Sequence, residues 1–299
     1  MTVTDSNAVQ EGGAVLPRLL AGRGHRLVLG LAEHEREYGM LWLRGRSGQR
    51  RPERLIDMVE AAGLTGRGGG GFPTGRKMRA VAGRGETVVV ANGAEGEPAS
   101  AKDRLLLTYL PHLVLDGITL ACDAVGATEA HLCVHRRERD LIDGLAAAVA
   151  ERRTAGLDPV PIQITGIPGR YVSSEQSSMV QYLNGGPGKP TFAPPRPHES
   201  GVRGRPTLVN NVETLAHVAL IARHGERWFR GAGLPSAPGS MLVTVDGAVR
   251  WPGVYEIELG TGAGDVVMLA GGPAEDLQRC SSAAISERGC LWRWPGRYE

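Results

Sequence analysis

Residues Gly63 to Lys77 read GLTGRGGGGFPTGRK, a run that concentrates glycine, an aromatic ring and cations. Dense glycine lets the backbone take positive φ and lets a flat or anionic ligand approach the amide groups closely. Amides around Gly66 to Gly71 would line such a ligand, Phe72 would offer a ring for stacking, and Arg67 and Lys77 would neutralise phosphate. Two standard patterns nearly fit, and both fail on context. Gly66, Gly68 and Gly71 satisfy GxGxxG, but the dinucleotide fingerprint follows a strand, whereas a helical pattern precedes this loop. Gly70 to Lys77 approaches the phosphate loop of nucleotide hydrolases, but Arg76 separates Gly75 from Lys77 and no Ser or Thr follows the lysine. A plain flexible linker would not be expected to carry Phe72-Pro73 and two cations so tightly spaced.

A second segment, Asn92 to Arg104 (NGAEGEPASAKDR), begins where the apolar run Thr87 to Ala91 ends. Ligands of open α/β sheets bind at the carboxyl ends of strands, so Asn92, Glu95 and Glu97 are placed to reach one. An asparagine both donates and accepts, which suits the edge of a heterocycle. The alternative is a solvated acidic turn that caps the next helix. Lysine usage singles out the same places: the chain has 31 arginines but only Lys77, Lys102 and Lys189, and the first two fall in these segments. A compact, mobile point charge is what lysine supplies and arginine does not.

The elements that must position these residues alternate. Pro52 to Ala62 has helical apolar spacing and stops at Gly63. Thr87 to Ala91 predicts a strand buried on both faces, and Arg104 to Val125 a long apolar helix with a break near Pro111. Strand His131 to His135, helix Asp140 to Arg152, strand Val160 to Thr165 and, after a Pro-rich loop, helix Thr207 to His224 follow. The alternation predicts an α/β fold, a parallel sheet with packed helices. A linker-like stretch, Gly231 to Gly239, leads into a ββα unit of β-grasp type, with strands Met241 to Val245 and Gly253 to Leu259 and a helix near Asp265 to Leu269. The expected organisation is an N-terminal extension 1–50, an α/β domain 51–235, the β-grasp unit 239–278 and an irregular tail 279–299.

Composition narrows the function classes. With 41% hydrophobic residues and a formal net charge of +2, the chain is neither disordered nor a general polyanion binder, so nucleic acid is not expected. No leader pattern and no long uninterrupted apolar run appear, which predicts a cytoplasmic protein without a direct membrane span. Cys122, Cys133, Cys280 and Cys290 lack CxxC spacing and read as reduced thiols. The histidines are dispersed, with no HExxH and no evident carboxylate pairing, and no Ser sits in GxSxG.

Four motifs in order resemble one family, the flavoprotein subunit of NADH-quinone oxidoreductase (complex I, the 51 kDa or F-type subunit) and its hydrogenase and formate dehydrogenase relatives. Gly66 to Lys77 matches GRGGAGFPTGxK with Gly70 for Ala, and Asn92 to Arg104 matches the acidic segment with Ala94 in place of an acid. Gly169 to Gln176 (GRYVSSEQ) corresponds to GRYxCGEE, and Gly204 to Thr214 (GRPTLVNNVET) matches GxPTxxNNVET in full. The resemblance implies a Rossmann-like FMN domain followed by a soluble-ligand-binding β-grasp domain. It implies FMN held by Gly66, Arg67, Gly68, Lys77, Asn92, Glu95, Ser174, Glu175, Asn210 and Asn211. NADH would stack its adenine on Phe72 and lie near Glu97, Tyr171 and Gln176. The implied activity is hydride transfer from NADH to FMN, with onward one-electron transfer to iron-sulfur partners such as a thioredoxin-like [2Fe-2S] subunit of a complex I or hydrogenase assembly.

The chain also departs from the pattern. The CxxCxxC motif and distant fourth cysteine of the family's [4Fe-4S] centre are missing, and the tail reads as a truncation or frame change, so that cluster is expected to be absent. Gln176 stands where the family has a second carboxylate that repels the 2′-phosphate of NADPH, which leaves NADPH open as a donor. Ser173-Ser174 replace Cys-Gly, and Arg196 replaces a Phe. A divergent binding or assembly module that has lost FMN is the competing expectation.

Overall fold

In the computed structural model, which describes residues 16–21, 28–41, 52–169 and 171–274, two helices come first. They are α1 (Leu31–Tyr38) and α2 (Pro52–Ala62), and α2 ends at Gly63 with φ +73, the left-handed stop that glycine tolerates. The glycine loop then runs into the short α3 (Thr74–Arg79). The run TVVVAN forms β1 (Thr87–Asn92), buried along almost its whole length because both faces of the sheet are covered. The apolar stretch beyond it is two helices, α4 (Lys102–Tyr109) and α5 (Pro111–Val125), meeting at 96°. Pro111 starts the second at a position where a missing N–H costs nothing. Then come β2 (Ala127–His135), α6 (Arg139–Thr154), β3 (Ile162–Ile167) and α7 (Gln176–Leu183).

The expected single helix from Thr207 to His224 needs correction. Its first five residues form a strand, β4 (Thr207–Asn211), and only then does α8 (Val212–His224) begin. TLVNN reads continuously with the helix in sequence, but Val88 N donates to Pro206 O at 3.0 Å and extends the ladder along β1. Asn211 Oδ1 accepts from Glu213 N at 2.9 Å and so starts the helix at Val212.

The sheet is parallel throughout, in the order β3-β2-β1-β4. The chain builds outward from β1 to β3 and then returns to the other side of β1, so strand order reverses between β1 and β4. There the register places Ala91 beside Asn210 and Asn92 beside Asn211. One sheet face packs the large core of α4, α5 and α8, and the other packs a smaller cluster that includes Val90, Cys133, Met179 and Val209. Gly117 makes the first possible: a Cβ there would lie 2.0 Å from Leu215 O, so α5 and α8 touch backbone to backbone.

After α9 (Glu226–Arg230), the expected linker folds as a tight pair of strands, β5 (Gly233–Leu234) and β6 (Ala237–Pro238). The second unit has the expected ββα order: β7 (Ser240–Val245), β8 (Gly253–Glu258) and α10 (Ala263–Leu269). The tail 279–299, with Cys280 and Cys290, lies outside the described residues, as does much of the 1–50 extension. Cys122 and Cys133 are buried free thiols whose pKa burial pushes up to about 12.

The expectation that histidines lack carboxylate partners is overturned. His34 Nε2 lies 2.7 Å from Asp116, His112 Nε2 lies 3.1 Å from Glu151, and His131 Nε2 lies 2.6 Å from Glu129. Two of these pairs join residues far apart in the chain, which no local pattern reveals. Asp116 is buried and also meets Arg152 at 2.6 Å and Arg223, so, although burial opposes it, its pKa is held well below the usual carboxylate range. Among the described residues no single helix is long and apolar enough to cross a membrane.

The helix contact at Gly117 generates a test. Gly117→Ala forces α5 from α8 and is expected to destabilise the fold by about 1–3 kcal/mol. A denaturant midpoint equal to the parent's would show that the contact has room.

Candidate functional site

Two amides at the strand-order reversal hold the framework of the site. Asn92 Nδ2 donates to Ser174 O at 2.7 Å and its Oδ1 accepts from Ala94 N at 3.1 Å, strapping the turn before α7 to the end of β1. Asn211 Nδ2 donates to Asp103 Oδ2 at 2.6 Å and more weakly to Asn92 O at 3.4 Å. Asn210 differs: it is 5% exposed, and its Nδ2 finds no partner among the described residues. A buried amide donor without a partner costs free energy unless something else accepts from it.

The glycine loop lies over this end of the sheet. Gly66 N donates to Phe72 O and Thr74 N to Leu64 O, both at 2.9 Å, so the loop is a closed narrow ribbon. A Cβ on Gly68 would stand 3.2 Å from Asn211 Cβ, which is why the backbone can lie against the end of β4. Gly69 and Gly71 take φ of 102° and 57°. The N–H groups from Gly68 to Gly71 make no well-formed hydrogen bond to a described residue. Phe72 is 52% exposed beside them.

Two cations flank the loop in different states. Lys77, half-buried on α3, has no counter-ion among the described residues, and burial lowers its pKa from 10.5 to about 8. Arg67, expected to meet phosphate, is turned inward instead. Its Nη1 donates to Thr65 Oγ1 at 2.8 Å, its Nε to Ser240 O at 3.2 Å and its backbone N to Thr214 Oγ1 at 2.9 Å. Only Nη2 is left unpartnered, and it is buried.

Glu95 uses its carboxylate as a cap for α4, accepting from Ser100 Oγ at 2.5 Å, Asp103 N at 3.1 Å and Arg104 N at 3.4 Å. Burial, then Asp103, raises its pKa. The capping alternative thus describes Glu95, while Glu97 is half-buried in the turn that precedes the helix. Glu175 caps α7 in the same way, accepting from Ser177 N at 2.8 Å and Ser178 N at 3.1 Å. Gln176 is exposed in that helix's first turn, and the side chain of Tyr171 is outside the described part. Asn92, Ser174, Asn211 and the glycine loop are therefore joined by direct contacts, Glu95 is linked to Asn211 through Asp103, and Glu175 and Gln176 adjoin them along the chain.

Beneath lies an ion cluster in which sequence reasoning singled out Lys102 but missed its partners Asp103 and Glu213. Lys102 Nζ sits 2.7 Å from Asp103 Oδ1 and 2.9 Å from Glu213 Oε2, and Glu213 is fully buried. Burial would lower the lysine's pKa, but the two carboxylates more than reverse it and raise it. Burial raises the pKa of Glu213. The signal was the rarity of lysine, since Lys102 is one of three. An N–H-rich loop and an unpaired buried amide where strand order reverses, with an ammonium without a counter-ion among the described residues on the helix that follows the loop, suit a flat ligand that carries phosphate.

Comparison with known proteins gives two family matches: the Nuo51 FMN-binding domain over residues 59–220 and the SLBB domain over 242–286. An F-type NADH-quinone oxidoreductase subunit of Rhizobium meliloti is 34% identical over 81% of this chain and 61% of its own length. The NAD-reducing hydrogenase HoxS alpha subunit of Cupriavidus necator is 34% identical over 79% of this chain and 43% of its own. The chain thus spans roughly half of the curated relatives it matches. A solved NAD+-reducing [NiFe]-hydrogenase in the H2-reduced state superposes with a TM-score of 0.71 at 40% identity, over 75% of this chain and 40% of that one.

The ion cluster under the site predicts a specific weakness. Lys102→Met leaves Asp103 and Glu213 buried together without their cation, an expected loss of about 3–5 kcal/mol at pH 7. A carboxyl with a raised pKa takes up a proton as the pH falls, which relieves the repulsion, so the deficit should shrink between pH 7 and pH 5. Denaturant midpoints across that range check both, and an unchanged midpoint at pH 7 would count against the cluster.

Proposed function

This chain belongs to the family of the Nuo51 FMN-binding domain, and on that premise we propose that it binds FMN at the ends of β1 and β4 and passes it a hydride from NADH. The observation that carries the reading lies within the matched segment: among the described residues, the donors without protein partners there include Lys77, Asn210 Nδ2 and the amides of Gly68 to Gly71. They fit a planar cofactor with a phosphate. Lys77 would neutralise the phosphate, while the loop amides and Asn210 would donate to FMN. Gly66, Gly68, Asn92, Glu95, Ser174, Glu175 and Asn211 would form the surrounding wall, and Arg67 would hold the loop from behind.

Bound FMN supplies the hydride acceptor and a route for releasing electrons singly. The chain's own work is then binding and orientation. Phe72 would stack the adenine of NADH, with Glu97, Tyr171 and Gln176 around the nucleotide. The division into an α/β domain 51–235 and a β-grasp unit 239–278 is supported by the two family matches. The relatives are subunits of NADH-quinone oxidoreductase and NAD-reducing hydrogenase, which supports partnership with such an assembly; in this reading the electrons pass on to its iron-sulfur subunits.

Purified protein reconstituted with FMN should be yellow and bleach anaerobically on NADH. A colourless protein that cannot be reconstituted would leave a binding module in its place. FMN affinity should fall as the pH rises through about 8, where the Lys77 ammonium loses its proton, and Lys77→Arg should flatten that profile. A pH-independent affinity in the parent would remove Lys77 from the phosphate. At Gln176, restoring a carboxylate should increase the preference for NADH over NADPH in kcat/KM by roughly tenfold through repulsion of the 2′-phosphate. Equal preference in the Gln176→Glu variant and the parent would dismiss that role.

A further inference from the structure

Among the described residues, strand β7 has one strand neighbour, β8. Its other edge carries backbone groups that need partners. Two of them meet side chains of the first unit. Ser240 O accepts from Arg67 Nε at 3.2 Å, and Leu242 N donates to Glu213 Oε1 at 2.8 Å. Two residues further on, Thr244 Oγ1 accepts from Ala101 N at 3.0 Å. The three contacts fall on alternate residues, the first two through backbone groups of the free edge and the third through a side chain.

Each contact ends on a different wall of the proposed FMN site. Arg67 belongs to the glycine loop, and its backbone N is tied to Thr214. Glu213 stands at the start of α8, with its N–H on Asn211 Oδ1, and meets Lys102. Ala101 immediately precedes α4, whose first turn Glu95 caps. Arg67, Glu213 and Ser240 are 7%, 0% and 1% exposed, so water cannot readily replace these bonds. A loose interface between two domains would place its polar contacts at a wet rim.

We propose that β7 is a positioning clamp for the cofactor site: through Ser240, Leu242 and Thr244 it sets the glycine loop, the start of α8 and the start of α4 in the arrangement that FMN requires. The SLBB unit thereby serves the first domain's ligand, whatever else it binds. The proposal rests on the FMN reading, and Thr244 is its separable element because its hydroxyl touches only the edge of the site.

The test uses the full chain carrying Thr244→Val, which keeps the shape and removes the acceptor, with Thr244→Ser as the restoring variant. Two quantities are read: FMN affinity by quenching of flavin fluorescence, and amide hydrogen exchange of the FMN-free protein. Thr244→Val should weaken FMN about tenfold and speed exchange at 66–72 and 101–104, with protection of α6 unchanged and Thr244→Ser close to the parent. Parent-like affinity and exchange in Thr244→Val would overturn the clamp. Loss of protection throughout, α6 included, would overturn it too, since that is general stability rather than positioning. If the parent takes up no FMN yet Thr244→Val loosens 66–72, the clamp stands and the flavin reading fails.

Discussion

A lysine buried between two carboxylates organises the site. Lys102 has its ammonium within 3 Å of both Asp103 and Glu213, and each carboxylate is further committed. Asp103 accepts from Asn211 at the end of β4, and Glu213 accepts from Leu242 N on β7. Taking three charges out of water is costly, and only complete pairing and hydrogen bonding offset it. The cluster therefore tolerates one arrangement, and that arrangement fixes where β4, α4, α8 and the second unit meet. The carboxyl ends of β1 and β4 inherit their geometry from it.

That constraint explains what was legible in the sequence. Strands such as TVVVA and helices such as Pro52–Ala62 announce themselves through local pattern, and the parallel sheet follows from their alternation. β4 did not, because TLVNN continues directly into a helical run without Gly or Pro between them. Only its pairing with β1 and the Asn211 cap separate strand from helix, and both depend on the fold. The buried histidine partners escaped for the same reason: His34 and Asp116 are 82 residues apart.

The site was legible at the level of segments and less so at the level of atoms. The glycine loop, the end of β1, the turn before α7 and Asn211 do come together. Residue type, however, does not say whether a polar group faces the ligand or the framework. Arg67 and Lys77 look alike in the sequence, yet the guanidinium is spent on Thr65 and Ser240 while the ammonium has no counter-ion among the described residues. Arginine's planar fork suits several fixed acceptors at once, and lysine's point charge suits a ligand that comes and goes.

The same division separates Asn210 from Asn211. They are neighbours on one strand and point to opposite faces, as the two-residue period of a strand demands. Asn211 has both ends of its amide engaged by the framework, whereas Asn210 is buried with its Nδ2 unpartnered among the described residues. A fold stable enough to satisfy Asn211 could have satisfied Asn210 with a nearby carbonyl, and an unmet buried donor is a standing cost. Among the described residues the groups left open include the donors Asn210 Nδ2, Arg67 Nη2, Lys77 and the Gly68 to Gly71 amides, while the acceptors Glu95 and Glu175 are closed upon helix N-termini. An excess of open donors over open acceptors favours an anionic, acceptor-rich ligand, and the carboxylates closed on helix ends are kept from opposing it.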